Sequence, residues 1–128
     1  MASYGQAWCI PGLAATGSLA SNQYYVVQAA STAGTVKVAT TKATDKILGI
    51  LQNDPASGEA AEVAFLGICK AAAETSVVYG EHLTVSSTGR VKTVAADGDR
   101  VVGIALESSS TAGDIIRIIA TNFVEEVA

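Results

Sequence analysis

The residues able to do chemistry are few, and their spacing assembles no familiar site. Nucleophilic catalysis by Ser or Cys needs a histidine beside the nucleophile. The single histidine, His82, stands between Glu81 and Leu83 in a run that reads as a strand, and neither Cys9 nor Cys69 has a motif around it. His82 reads as a surface or interface residue and the two cysteines as small hydrophobes. Metal-ligand spacings such as Cys-x-x-Cys or His-Glu-x-x-His do not occur. Asp97-Gly98-Asp99 has oxygen donors for calcium but reads more simply as a turn between Val94 and Arg100. Gly12 and Gly17 have phosphate-loop spacing, yet Ser18 and Leu19 stand where Lys and Ser/Thr are needed. Paired carboxylates can hydrolyse glycosidic bonds; Glu59 with Glu62, and Glu125 with Glu126, are the pairs. A sugar cleft also wants aromatic platforms, and the chain has one Trp, two Phe and four Tyr. The expectation is a protein that is not an enzyme and holds no metal or cofactor.

The elements that would position such residues are β-strands. Short runs rich in β-branched residues fall at 24–28, 35–39, 46–51, 61–66, 82–86, 90–94, 100–106 and 114–121. Turn signals separate them: Asp54-Pro55, Ser57-Gly58, Thr88-Gly89, Asp97-Gly98 and Ala112-Gly113. One stretch, 70–74 (Lys-Ala-Ala-Ala-Glu), has helical propensity, and it is a single turn long. Residues 1–22 carry Gly5, Pro11, Gly12 and Gly17 and no sustained period, so they read as an extended arm. Residues 23–128 then form a single β domain.

Composition agrees. The chain has 128 residues, 49% of them hydrophobic but only 5% aromatic, with 12 Gly. A net charge of −4 with 8 Lys and Arg leaves no basic footprint for nucleic acid. No apolar run approaches the roughly 20 residues that span a bilayer, so no membrane contact is expected. The first residues, Met-Ala-Ser-Tyr-Gly-Gln, lack the basic and apolar regions of a secretory signal. Two cysteines without a framework suit synthesis in a cytoplasm.

The strongest pattern is a duplication. Gly34-Thr35-Val36-Lys37 matches Gly89-Arg90-Val91-Lys92, and Asp45-Lys46-Ile47-Leu48-Gly49-Ile50 matches Asp99-Arg100-Val101-Val102-Gly103-Ile104. Gly58-Glu59 leads into a strand as Gly113-Asp114 does, so the offset stays at about 54 to 55 positions. The copies run over about 24–67 and 78–121. Each is too small to bury both faces alone. Two copies can share a core about a pseudo-twofold axis, as a small barrel or sandwich. Gly49 and Gly103, inside apolar runs, mark a bulge or a close approach of backbones.

Small side chains and a loose arm suit an assembly subunit, because an arm can add a strand to a neighbour's open sheet edge. Aromatics anchor interfaces, and here they gather near the start. The candidate interface residues are Tyr4, Trp8, Ile10, Pro11, Leu13, Tyr24 and Tyr25.

The twinned Gly-x-Val-Lys runs, the segment from Asp99 to Glu107 and the strand opened by Ala112-Gly113-Asp114 together resemble tailed-phage capsid cement, or head decoration, proteins. The likeness spans about residues 23–121, and Ile47-Leu48-Gly49-Ile50-Leu51 is similar to a strand of the lambdoid members. The resemblance implies a small β-domain, a homotrimer, on the outer surface of an expanded head. It would bind the major capsid protein and clamp neighbouring copies. It implies no catalytic residue. Residues 1–22 occupy the place of the lambdoid capsid-contacting arm without matching it in sequence. A second possibility is a host-surface or glycan-binding module of a fibre or tail, with the Ser/Thr-rich loop 107–112 as its tip.

Overall fold

Runs in which β-branched residues alternate with small ones pleat into sheets, and strands are the regular elements of the described residues. The computed structural model describes residues 7–40, 46–94 and 100–124. Ten strands follow in order: β1 (Trp8–Ile10), β2 (Ala14–Ala15), β3 (Val26–Ala29), β4 (Thr35–Val38), β5 (Ile47–Leu51), β6 (Val63–Ala72), β7 (His82–Val85), β8 (Val91–Thr93), β9 (Arg100–Ala105) and β10 (Ile115–Val124). All eight expected runs are strands, and no helix occurs among the described residues. The helical reading of 70–74 is therefore corrected. Lys70, Ala71 and Ala72 pair with Arg117, Ile116 and Ile115 of β10. Alanine's weak local preference gives way to a long-range ladder.

The strand order is β2-β4-β3-β5-β6-β10-β9-β7-β8, with β1 also on β6. This path is open, so the expected alternative of a closed barrel is not formed. The reason lies in β6. Its first part pairs with β5 and β1, and from Gly67 onward it pairs with β10. Gly67 has φ 102°, a left-handed conformation that lets the strand change sheet. Isolated bridges, Ala14 to Ala60 and Ala73 to Val91, and a few single backbone bonds bring together the ends of each half without a continuous ladder.

The duplication is visible bond by bond. Ala15 accepts from the Gly58 N–H at 2.8 Å and donates to the Glu59 carbonyl at 3.0 Å; Ala73 does the same with Gly113 at 2.7 Å and Asp114 at 2.8 Å. The Thr16 N–H donates to the Val36 carbonyl at 3.1 Å, and the Glu74 N–H to that of Val91 at 2.7 Å. From Gly67 onward β6 pairs with β10 as β1 pairs with the first part of β6, so the same antiparallel pairing recurs in each copy. Gly49 and Gly103 are matched in function as well. A Cβ on Gly49 would overlap the Ala64 carbonyl oxygen of β6, and one on Gly103 would lie 2.7 Å from the Ile119 oxygen of β10.

The first copy's inner core is Ala15, Leu19, Val27, Val36, Leu51, Ala61 and Val63. Its counterparts Ala73, Val77, Leu83, Val91, Ala105, Ile116 and Ile118 belong to a larger core that also takes in Val26, Ile50 and Ala64 of the first copy. The segment expected as an arm is described from Ala7. There it is extended and laid along the domain: Trp8 lies opposite Leu66, Ile10 opposite Val63, and Ala15 and Leu19 are buried.

Candidate functional site

The described residues do not gather into a reactive centre. Burial, and secondarily the nearby Cys9, pushes the Cys69 thiol up to about 12. Partial burial and then Glu62 raise the Cys9 thiol as well. A thiolate is the reactive form, so the buried Cys69 is held in its inert state, while Cys9 is exposed. No group of three or more His, Cys, Asp or Glu is placed to hold a metal ion among the described residues. Of the residues weighed for chemistry, Asp97, Gly98, Asp99, Glu125 and Glu126 lie outside the described set. Glu59 caps its own turn, accepting from the Ala56 N–H at 2.9 Å. No helix of the described chain is long and apolar enough to cross a membrane.

Among the candidate interface residues, Tyr4 lies outside the described residues. Trp8, Ile10, Pro11 and Leu13 share one segment along β6. Trp8 is 67% exposed, and Pro11 is exposed in the turn after β1. Ile10 and Leu13 are half-buried against the first core. Tyr24 and Tyr25 lie just before β3 and are half-buried.

Tyr25 is engaged within the chain, at the joint between the copies. Its hydroxyl accepts from Arg90 Nε at 3.2 Å, and the guanidinium stands 5.9 Å from the ring centroid. Arg90 Nε is also 3.9 Å from Glu74, whose carboxylate accepts from the Thr88 and Ser86 hydroxyls. The Thr88 hydrogen bond leads the causes that hold Glu74 below its usual carboxylate range; Ser86, Arg90 and Lys92 add to it. Gly89 makes this joint possible. Its φ is 93°, and a Cβ there would run into Val38 and lie 3.1 Å from the Tyr25 ring.

Tyr24 is the one described residue other than glycine with a positive φ, at 73°. Its counterpart is Gly80, φ 91°. The match follows from pairing: Leu51 bonds Tyr24 and Tyr25 as Ala105 bonds Gly80 and Glu81.

Sequence reasoning missed a second apolar surface. Leu66 is 47% exposed opposite Trp8, and beyond it Ile68, Ile119 and Ile104 stand side by side across β6, β10 and β9. These three isoleucines are half-buried. The available signal was the run Ile115-Ile116-Arg117-Ile118-Ile119. It is apolar at both parities, which a strand with one solvated face does not need. Val78 and Tyr79, before β7, are 60% and 68% exposed.

Against known proteins, residues 12–120 match the family described as phage cement protein. Among solved structures, the N base of head fiber gp8.5 of bacteriophage phi29 is similar, with a TM-score of 0.67 at 14% identity, covering 90% of this chain and 95% of that one. At that identity the likeness is one of fold. No curated protein matches the chain in sequence.

Proposed function

This chain belongs to the phage cement protein family, and from that premise we propose that it decorates the outer surface of an expanded phage head. It is a structural virion protein; in this reading it bridges neighbouring major capsid proteins and self-associates as a homotrimer after synthesis in the host cytoplasm. A protein that binds only the expanded shell stabilises it by the free energy of binding. Many modest contacts on one particle reinforce each other. The fold it shares with the base of a phage head fibre supports a place on the head.

The observation that carries the reading is Trp8. A tryptophan 67% exposed on a strand beside the exposed Leu66 does little for the fold. Buried tryptophans at the centre of interfaces are frequent binding hot spots. The N-terminal segment, anchored by Trp8, is the capsid contact in this reading, and Tyr4 and Pro11 belong to it. The test is decoration of purified expanded heads by Trp8→Ala and by a chain lacking residues 1–9. The truncation stops short of the buried Ala15 and Leu19. The expected result is a fall in occupancy of about tenfold or more, equivalent to about 1.4 kcal/mol, with an unchanged melting temperature. Wild-type occupancy by either variant would overturn the assignment of the segment. Failure of the wild-type chain to bind heads or raise their heat tolerance would overturn the decoration reading itself.

A further inference from the structure

The two copies carry the same cross-strand row on the outer face of their sheets. In the first copy Val26 pairs with Ile50, Ile50 with Ala64, and Ala64 with Cys9. In the second copy the same pairings run from His82 to Ile104, Ile119 and Ile68. The two rows differ along most of their length, although Cys9, at the end of the first, is exposed. Val26, Ile50 and Ala64 are 0% exposed. They lie in one cluster with Cys69, Val102 and Ala120 of the second half, and β5 packs against β10. His82 is exposed, and Ile104, Ile119 and Ile68 are half-buried.

The receiving side is duplicated too. By the same pairings the counterparts of Cys69, Val102 and Ala120 are Ile10, Leu48 and Phe65. All three are half-buried, Ile10 and Leu48 at the edge of the first core, where part of each side chain is left in solvent. The chain thus has two rows and two receiving surfaces, and its internal contact uses one of each. One row is left on the second copy and one receiving surface on the first.

We propose that a second copy of this chain covers the open row. Ile68, Ile119 and Ile104 of one chain dock on Ile10, Leu48 and Phe65 of the next, repeating between chains the contact already made inside each. The second copy is the occupant because this open row is the counterpart of a buried one, and the surface complementary to it stands on the same chain. Such a head-to-tail contact is heterologous, so it closes into a ring when the rotation permits. The proposal rests on the self-association in the reading above; of its residues only Ile10 lies in the segment assigned to the capsid, and Ile104 and Leu48 lie outside it.

Sedimentation of the wild-type chain is compared with Ile104→Asp, on the row, and Leu48→Asp, on the receiving surface. Each variant alone is expected to lose at least tenfold in association affinity while remaining a folded monomer with a cooperative melt, lowered by the cost of placing Asp at a half-buried position. Mixed, the two are expected to form a one-to-one dimer, since each retains the surface the other lacks. Ile68→Lys and Ile10→Asp serve as the second pair where a first variant fails to fold. A wild-type chain that stays monomeric overturns the proposal together with the trimer. A wild-type assembly unaffected by these changes overturns the surface and leaves self-association standing. Assembly by Leu48→Asp alone but not by Ile104→Asp means that the row pairs with itself, and the head-to-tail arrangement falls. Binding of the wild-type chain to expanded heads is read separately, so failure of the capsid reading is distinguishable from each of these.

Discussion

Ile50 and Ile104 hold the same place in two copies of one β-unit, on β5 and β9, each one residue after a glycine. Ile50 is sealed at 0% exposure, whereas Ile104 is half open. The backbone around them is nearly the same, down to the turn bonds at Gly58 and Gly113. What differs is what lies outside. Val26, Ile50 and Ala64 of the first copy are sealed in a cluster shared with the second copy, whereas Ile68, Ile104 and Ile119 of the second copy are half-buried. A duplicated unit in one chain thus produces one buried joint and one open surface of the same design. The difference teaches that the internal joint and the outward surface are two uses of one interface.

The comparison can be broken most severely at its glycines. Gly49→Ala sets a methyl into the Ala64 carbonyl oxygen and is expected to leave no folded protein. Gly103→Ala, with 2.7 Å to the Ile119 oxygen, is expected to fold but to lose about 3 kcal/mol, at the upper end for overpacking. Urea unfolding and soluble yield measure both. Equal losses would mean that the first copy relaxes more freely than its contacts suggest.

The buried and open rows give the next effect. Ile50→Ala is expected to cost about 2–5 kcal/mol, as core truncations do. Ile104→Ala is expected to cost about 1 kcal/mol in the monomer, because only part of its surface leaves water. Equal costs by denaturant titration at low protein concentration would erase the distinction between the rows.

The copies also differ in acid. Glu74 takes the place that Thr16 has in the first copy, so a carboxylate enters only the second. Its folded pKa lies below the unfolded value of about 4.5, so the native state binds fewer protons in that window. Its stabilising contribution is present above pH 4.5 and disappears as the pH falls through the lowered folded pKa. Glu74→Gln is expected to flatten that part of the stability–pH curve, read by thermal melts at successive pH values. An unchanged curve would remove the Thr88–Glu74–Arg90 joint from the account.

The smallest effect is expected at Tyr24. Glycine takes its left-handed backbone without strain, but a tyrosine there costs roughly 1 kcal/mol. Tyr24→Gly is expected to change stability by less than about 0.5 kcal/mol, the relief of strain offsetting lost packing and the entropy of glycine. Gly80→Ala, at the matching position, is expected to destabilise by about 1 kcal/mol. A large loss in Tyr24→Gly would show that its side chain is structural.

Much of the fold was legible in particular residues. The alternation in Thr35-Val36-Lys37-Val38 and the twinned Gly-x-Val-Lys runs placed β4 and β8, and the matched glycines placed the close approaches at β5 and β9. The short strands β1 and β2 were not legible, because Trp8–Ile10 and Ala14–Ala15 are held by pairing with β6 and β4 rather than by local preference. The last turns of β6 read as helix because alanine favours helix wherever no partner strand competes. Of the candidate site, Trp8 was legible as a lone aromatic in a segment without period. The isoleucine row was not, since Ile68, Ile119 and Ile104 come from three strands and meet only through register.

By itself the sequence determined an all-β chain, its turns, its duplication and the places where only glycine fits. These are local properties, set by φ preferences, β-branching and period. The tertiary structure alone decided that β6 leaves the first half at Gly67 to join β10, leaving the sheet open. It alone decided which of two equivalent rows is buried. Both outcomes depend on pairings between distant segments, and identical local patterns cannot distinguish the copy that is covered from the copy that covers it.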